Sequence, residues 1–316
     1  MSNLFMPIYK NLEKETLKLS EDIFFNDEQL TVYSIKIAEL LVRTVVEIES
    51  LSKELYFNNG GPHKYTADGK EDFIFFDTDC IAFLEQKWKL SKKEVLVTAS
   101  NFYFQDPANK ILTPLYKANK RGTSASDWAR AYQAVKHDRS KNFKRASVKH
   151  LIRALAALYI LNIYNKTDEE ILDETTLQDI SFGSLIFTPQ LQQNVPFKLN
   201  GDNKQKGNEN CICIIKYPDD IYKRIISAEK DDCQIRLTSL LNSSEFKEFI
   251  KRHPSYELNG KNIFQICHDI ENNIGQENYC TKILSSSCKS SLLLINSKKQ
   301  IVLNKNQQIY PDLSID

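Results

Sequence analysis

The chain has 316 residues, of which 41% are hydrophobic, and its 42 Lys and Arg nearly balance its 41 Asp and Glu. The formal net charge of +1 excludes a uniformly basic surface and an acidic disordered chain. The longest mostly apolar stretch, 154–164, is shorter than the roughly 20 residues of a membrane helix, and no signal peptide is visible at the start. We therefore expect a soluble, cytoplasmic protein with no membrane partner.

The first strong pattern lies at residues 27–57, where apolar residues recur at steps of three and four. This spacing predicts a helix with one buried face. Glu39, Arg43 and Glu47 lie four residues apart and would form supporting pairs on its surface. The Asn-Asn-Gly-Gly-Pro run at 58–62 predicts the end of the helix.

Residues 63–127 carry a mixed pattern. The Asp-Thr-Asp run at 77–79 offers N-cap side chains for a helix that continues through Trp88. Residues 94–98 and 101–104 are apolar enough to form strands or extended loops. The pattern alone leaves this choice open.

The second strong helical pattern covers residues 126–164. The Ser-Asp pair at 126–127 can cap a helix that buries Trp128, Tyr132 and Val135. A polar break separates this helix from a second one, whose C-terminal half is apolar almost all round. Such a helix is expected at the centre of a bundle. An acidic stretch follows it.

Residues 189–210 are rich in Gln, Asn, Lys and Gly, which is typical of a domain boundary. The pattern beyond it predicts a strand at 211–217, helices at 246–252 and 263–271, and a hairpin of 291–295 with 299–303. We therefore expect a mainly α protein. A helical domain would occupy residues 1–190, a linker or boundary 191–210, and a smaller α+β module 211–316.

The seven cysteines form an odd set with no CxxC pair, so reduced thiols are expected. Cys267, His268 and Cys280 are candidate zinc ligands by residue type, but their spacing fits no zinc template. The sequence therefore predicts small core thiols, with no metal and no cofactor.

Basic residues cluster in 110–153, which holds twelve Lys or Arg against two Asp and so carries a net charge of +10. The rest of the chain carries a net charge of −9. A basic segment in an otherwise acidic protein is expected where phosphate or nucleic acid binds. A solvated face paired with the acidic stretch at 168–179 would explain the same charge pattern.

The basic segment also places Arg130 and His137 seven residues apart, on one face of the predicted helix. Histidine exchanges a proton near neutral pH, and arginine holds a phosphate through two parallel hydrogen bonds. Such a pair can break RNA without a metal, since a base deprotonates a 2′-hydroxyl while a cation stabilises the phosphate. Arg145 and His150 offer a second pair, so spacing does not choose the base. Structurally, His137 would also suit a helix end, next to the terminal carbonyls.

Four segments carry a resemblance to a known family: 38–43 with 47–49, 76–80, 131–139 and 154–162. Together they are similar to the HEPN superfamily (higher eukaryotes and prokaryotes nucleotide-binding), particularly its bacterial abortive-infection and mobile-element members. The resemblance covers roughly residues 25–165. The family signature is an Arg, four to six residues, then a His, which Arg130 and His137 match at the upper limit. Ala131 departs from the polar residue that usually follows the Arg.

The resemblance implies a HEPN-like helical bundle that pairs as a homodimer, with both Arg–His sets facing one cleft. Arg130 would grip the scissile phosphate, and His137 would act on the proton. The candidate RNA- or phosphate-binding residues are Lys136, Arg139, Lys141, Arg145, Lys149 and His150. The candidate orienting residues are Glu39, Arg43 and Glu47, for which simple surface pairing is the alternative.

The expected function is metal-independent RNA cleavage, in bacterial anti-phage defence or as a toxin. RNA and a defence-system protein would be the partners. The alternative is a non-cleaving module that binds RNA, a nucleotide or a partner protein as a sensor or adaptor subunit. A third interpretation places the activity in the C-terminal half and makes the helical part an adaptor.

Overall fold

The computed structural model of the chain describes residues 4–166, 180–193 and 208–306. They form a mainly α structure with a smaller α+β part, which confirms the predicted fold class at that level. The chain divides into two compact units. The described residues of the first unit are those up to 193, 208–216 and 300–306, and those of the second are 217–299.

The first unit is built around one buried helix. Its helices are α1 (Phe5–Asp22), α2 (Ile35–Asn58), α3 (Ala82–Trp88), α4 (Pro107–Lys110), α5 (Asp127–His137), α6 (Arg139–Asn142) and α7 (Val148–Tyr164). α7 contacts α1, α2 and α5, and nearly all its side chains are buried, as its apolar pattern predicts. In the described part of the chain, no helix combines the length and apolarity needed to cross a membrane.

Helix α2 is shorter at its start than the predicted 27–57 span. The Ser34 hydroxyl accepts a hydrogen bond from the Ile37 N–H at 3.2 Å and so caps the helix at its first turn. Residues Glu28–Thr31 form a separate 3₁₀ turn instead. The end agrees with prediction, because Gly60 takes a φ of +82° that favours glycine.

The carboxylates predicted to cap the helix before Trp88 have other partners. Residues Phe76–Ile81 form a π-helical turn that leads into α3, and neither Asp77 nor Asp79 caps α3. Asp77 pairs with Arg121, and Asp79 accepts a hydrogen bond from Lys64 at 2.6 Å. The N-cap prediction was wrong because cations distant in sequence take both carboxylates.

Two three-stranded sheets belong to the first unit. The strands are β1 (Val95–Val97), β2 (Ile111–Leu112), β3 (Phe187–Pro189), β4 (Leu191–Gln193), β5 (Cys213–Lys216) and β6 (Gln300–Leu303). One sheet has the antiparallel order β2-β1-β3. In the other, β5 pairs with β4 in parallel and with β6 antiparallel, from Cys213 opposite Leu303 to Lys216 opposite Gln300.

The strand pairing divides the chain differently from the expected boundary at 191–210. β5 and β6, which sequence analysis placed in a module at 211–316, complete a sheet of the first unit. The segment between them forms the second unit. The reason is physical: a strand stays in a sheet only where its backbone finds partners, and the partners of β5 lie in β4 and β6.

The described residues of the second unit form helices and loops, with no strand among them. Its helices are α8 (Asp219–Asn242), α9 (Ser244–Arg252), α10 (Ile263–Ile274), α11 (Tyr279–Leu284) and α12 (Lys289–Asn296). The helices predicted at 246–252 and 263–271 are confirmed as α9 and α10. The predicted hairpin is wrong, because 291–295 lies in α12. The buried Asp232 carboxylate accepts hydrogen bonds from the Lys289 and Ser290 N–H groups, at 3.1 and 2.9 Å, and so starts that helix.

Candidate functional site

A cavity of about 780 Å³ opens on the first unit, between α2, the Phe73–Asp77 segment, the turn at 120–125 and α5. Six of its lining side chains are basic and two are acidic. The charged lining residues are Lys53, Lys120, Arg121, Arg130, Lys136, Arg145, Glu49 and Asp77. The cavity therefore suits an anionic ligand.

Helix α5 carries Arg130 and His137 to this cavity. The Ser126 hydroxyl caps the helix by accepting from the Ala129 N–H at 3.4 Å. Trp128 and Tyr132 are buried on the opposite face, so Arg130 and His137 are left exposed. Seven residues of α-helix separate the two along the axis by about 10.5 Å. Both line the same cavity, as their spacing predicts.

The cavity cations differ in their partners. Within the described part of the chain, Arg130, Lys136 and Arg145 form no ion pair with a carboxylate. Arg121, in contrast, gives its Nε and a terminal nitrogen to Asp77 at 2.7–2.8 Å. The Asp77 charge compensates Arg121, while the charges of the other three stay available to a ligand.

A second, smaller cavity of about 100 Å³ adjoins Arg130 and Arg145, and His150 and Asp127 line it as well. The His150 Nδ1 lies 3.0 Å from the Ser147 hydroxyl. Burial lowers the pKa of His150 below its usual 6.5, and the nearby Asp127 carboxylate opposes that shift. Each histidine of the basic segment therefore lines a cavity that Arg130 and Arg145 also line.

The other predicted phosphate-binding residues lie outside the large cavity. Lys149 is 4.0 Å from Asp127, which also pairs with Arg153. Arg139 and Lys141 are exposed on α6 and line neither cavity. The acidic stretch at 168–179, the other expected partner of the basic segment, lies outside the described residues.

The predicted orienting residues also lie away from the cavity. Glu39, Arg43 and Glu47 do not line it, whereas Glu49 and Lys53 of the same helix do. The helical period explains the difference, because residues two positions apart point to different faces. The Glu49–Lys53 pair, four residues apart, therefore marks the cavity face of α2.

Sequence reasoning missed the aromatic and acidic wall of the cavity. Phe73 and Phe75 line it, beside Asp77 and Arg121. The Phe-Ile-Phe-Phe-Asp run at 73–77 was the available signal, since it places large aromatic side chains directly before a carboxylate. Nothing local indicates that Asp77 pairs with a residue 44 positions later.

The three residues considered as zinc ligands differ in burial. Cys267 and Cys280 belong to the core of the second unit, whereas His268 is exposed. Burial raises the pKa of the Cys267 thiol to about 12. Among the residues that the structure describes, no cluster of three or more His, Cys, Asp or Glu is placed to hold a metal ion.

No family model, no curated protein and no solved structure matches the chain.

Proposed function

We propose that the chain is a metal-independent endoribonuclease that acts in bacterial anti-phage defence or as a toxin. One observation carries the proposal: a single cavity is lined by Arg130, His137, Lys136 and Arg145, and none of these cations forms an ion pair with a described carboxylate. The cations supply a site for a phosphodiester, and the histidine supplies a group that exchanges a proton near neutral pH. The resemblance to the HEPN superfamily supports the same assignment.

The proposed reaction uses the RNA's own 2′-hydroxyl as nucleophile. His137 takes the proton of that hydroxyl, and the oxygen forms a bond to the adjacent phosphorus. Arg130 stabilises the charge that grows on the phosphate oxygens. The bond to the 5′-oxygen breaks and that oxygen takes a proton from solvent, while His137 returns its proton to solvent. The products are a 2′,3′-cyclic phosphate and a 5′-hydroxyl. In the paired arrangement that the resemblance implies, the second protomer contributes its own Arg–His set.

His150 is the alternative base. It lies beside Arg130 and Arg145 in the smaller cavity and stays neutral to lower pH than an exposed histidine. A neutral imidazole is the form that accepts a proton. His137 is preferred because it lines the cavity of about 780 Å³, whereas the cavity beside His150 measures only about 100 Å³.

A non-cleaving RNA-binding module is the second candidate. Two observations on α5 favour it. The residue after Arg130 is Ala131, only 2% exposed, where the family signature usually has a polar residue. The His137 side chain makes no hydrogen bond to another described residue. A catalytic base is usually oriented by a neighbouring group. Binding needs only the basic cavity.

Cleavage of end-labelled RNA in the presence of EDTA tests the proposal. The wild-type protein should yield 2′,3′-cyclic phosphate ends, and His137→Gln should lower the rate by about 10²- to 10⁴-fold. The His253→Gln variant of the second unit serves as the matched control and should cleave normally.

The other outcomes separate the alternatives. If His150→Gln abolishes cleavage and His137→Gln does not, His150 is the base. Salt-dependent binding without cleavage would favour the binding module. Absence of both binding and cleavage would overturn the nucleic-acid proposal.

A further inference from the structure

Two exposed phenylalanines form one wall of the large cavity. Phe73 is 60% and Phe75 is 38% exposed, and their ring centroids lie 4.7 Å apart at 61°. Large apolar side chains left in contact with water at a cavity are a feature of binding sites. The exposed parts of the two rings therefore offer apolar surface in the same cavity as Arg130, Lys136 and Arg145.

Arg121 belongs to this aromatic wall and does not serve as a further phosphate-binding residue. Its guanidinium carbon lies 3.6 Å from the centroid of the Phe75 ring, so the two planar groups are in contact. Asp77 occupies the nitrogen edge that would otherwise hold a phosphate. The part of Arg121 that remains for a ligand is its planar face, on which a flat ring can stack.

The wall is held in place by the backbone that precedes the π-helical turn. The Phe75 N–H donates to one oxygen of Asp79 at 2.8 Å, and Lys64 binds the other oxygen at 2.6 Å. The Lys53 amine lies 4.8 Å from the centroid of the Phe73 ring. The backbone that carries Phe75 is therefore held before a ligand binds, which limits the entropy lost on binding.

We propose that Phe73, Phe75 and Arg121 form a stacking site for an unpaired nucleobase, which makes single-stranded RNA the substrate class. The inference rests on the proposed function, because the phosphates of the same strand would occupy Arg130, Lys136 and Arg145. In a duplex, both faces of each base are covered by its neighbours, so only an unstacked base can use the wall.

Binding of a 2′-O-methyl RNA decamer tests the inference, because this probe keeps the bases but lacks the nucleophile and stays intact. Fluorescence anisotropy would compare the full-length wild type with a Phe73→Ala, Phe75→Ala double variant. Loss of base stacking should weaken binding of the single strand by about 5- to 150-fold. Phe75→Trp, which keeps a flat ring, should bind within about threefold of wild type.

Two controls isolate the base from the backbone. An abasic decamer of equal charge should bind the wild type as weakly as the double variant binds the normal decamer, and the double variant should not distinguish the two. Phe24→Ala removes a phenylalanine that is 57% exposed outside the cavity and should leave binding unchanged.

The failures are distinguishable. Equal affinity of the wild type and the double variant for the single strand would overturn the stacking site alone. Equal or tighter binding of a blunt duplex by the wild type would also overturn it. No salt-dependent RNA binding by the wild type would overturn the proposed function and this inference together.

Discussion

Replacing Arg130 with Gln shortens the side chain but keeps it polar, and it removes one charge that no described carboxylate compensates. Binding of a single strand weakens with salt by a slope of about 0.7 in log affinity per phosphate contact. If Arg130, Lys136 and Arg145 each hold one phosphate, wild-type affinity should fall about 18-fold between 50 and 200 mM salt. With two contacts left, Arg130→Gln should fall only about 7-fold.

Arg121→Gln gives the informative comparison. Asp77 already compensates the Arg121 charge, so this variant should keep the wild-type salt slope even if its affinity drops. Arg224→Gln, an exposed change in the second unit, should alter neither quantity. The assay is anisotropy of the 2′-O-methyl decamer in EDTA, measured at four or more salt concentrations for each variant.

A salt slope for Arg121→Gln that is reduced as much as that of Arg130→Gln would refute the reasoning. It would mean that the pair with Asp77 opens and that Arg121 contacts a phosphate. An unchanged slope for Arg130→Gln would show that the phosphates bind elsewhere.

Three further predictions concern titration and stability. The pKa of His150 in the folded protein should lie below 6.5 by NMR titration. The free energy of unfolding should therefore be highest above pH 6.5 and decrease as the pH falls through the lowered pKa of the folded state. Leu158→Ala, at a fully buried position of α7, should lower the free energy of unfolding by about 2–5 kcal/mol in urea, whereas Ile35→Ala, 68% exposed, should change it by less than about 0.5 kcal/mol. Asp232→Asn should weaken hydrogen bonds to a charged acceptor, lowering the stability of α12 by about 1.5–3 kcal/mol and accelerating amide exchange at its first turn; unchanged exchange would contradict the role given to Asp232.

The parts of the fold that follow local rules could be predicted from sequence. α7 is apolar on every side and is the buried centre of the first unit, and α5 begins at a Ser cap and buries Trp128. The placement of Arg130 and His137 in one cavity follows from the same helical period.

The remainder depends on contacts between residues far apart in sequence. The Leu-rich run of α12 is short enough to suit either a strand or a helix, and Asp232, more than fifty residues earlier, decides for the helix. The aromatic wall is oriented through the pairing of Asp77 with Arg121. One sequence contains no signal that identifies such pairs, so neither the pairing of Asp77 with Arg121 nor the helical state of residues 291–295 was predicted.

The register of β5 and β6 has a consequence for how the second unit is attached to the first. Lys216 and Gln300 are directly opposed partners, so the chain leaves the sheet and returns to it at adjacent points. To the first unit, residues 217–299 are topologically one very long hairpin loop. The entropy of closing a loop grows only slowly with its length, so such an insertion can be exchanged or shortened at little cost. An Asn-Gly turn between Lys216 and Gln300 would close the same strand pair in two residues.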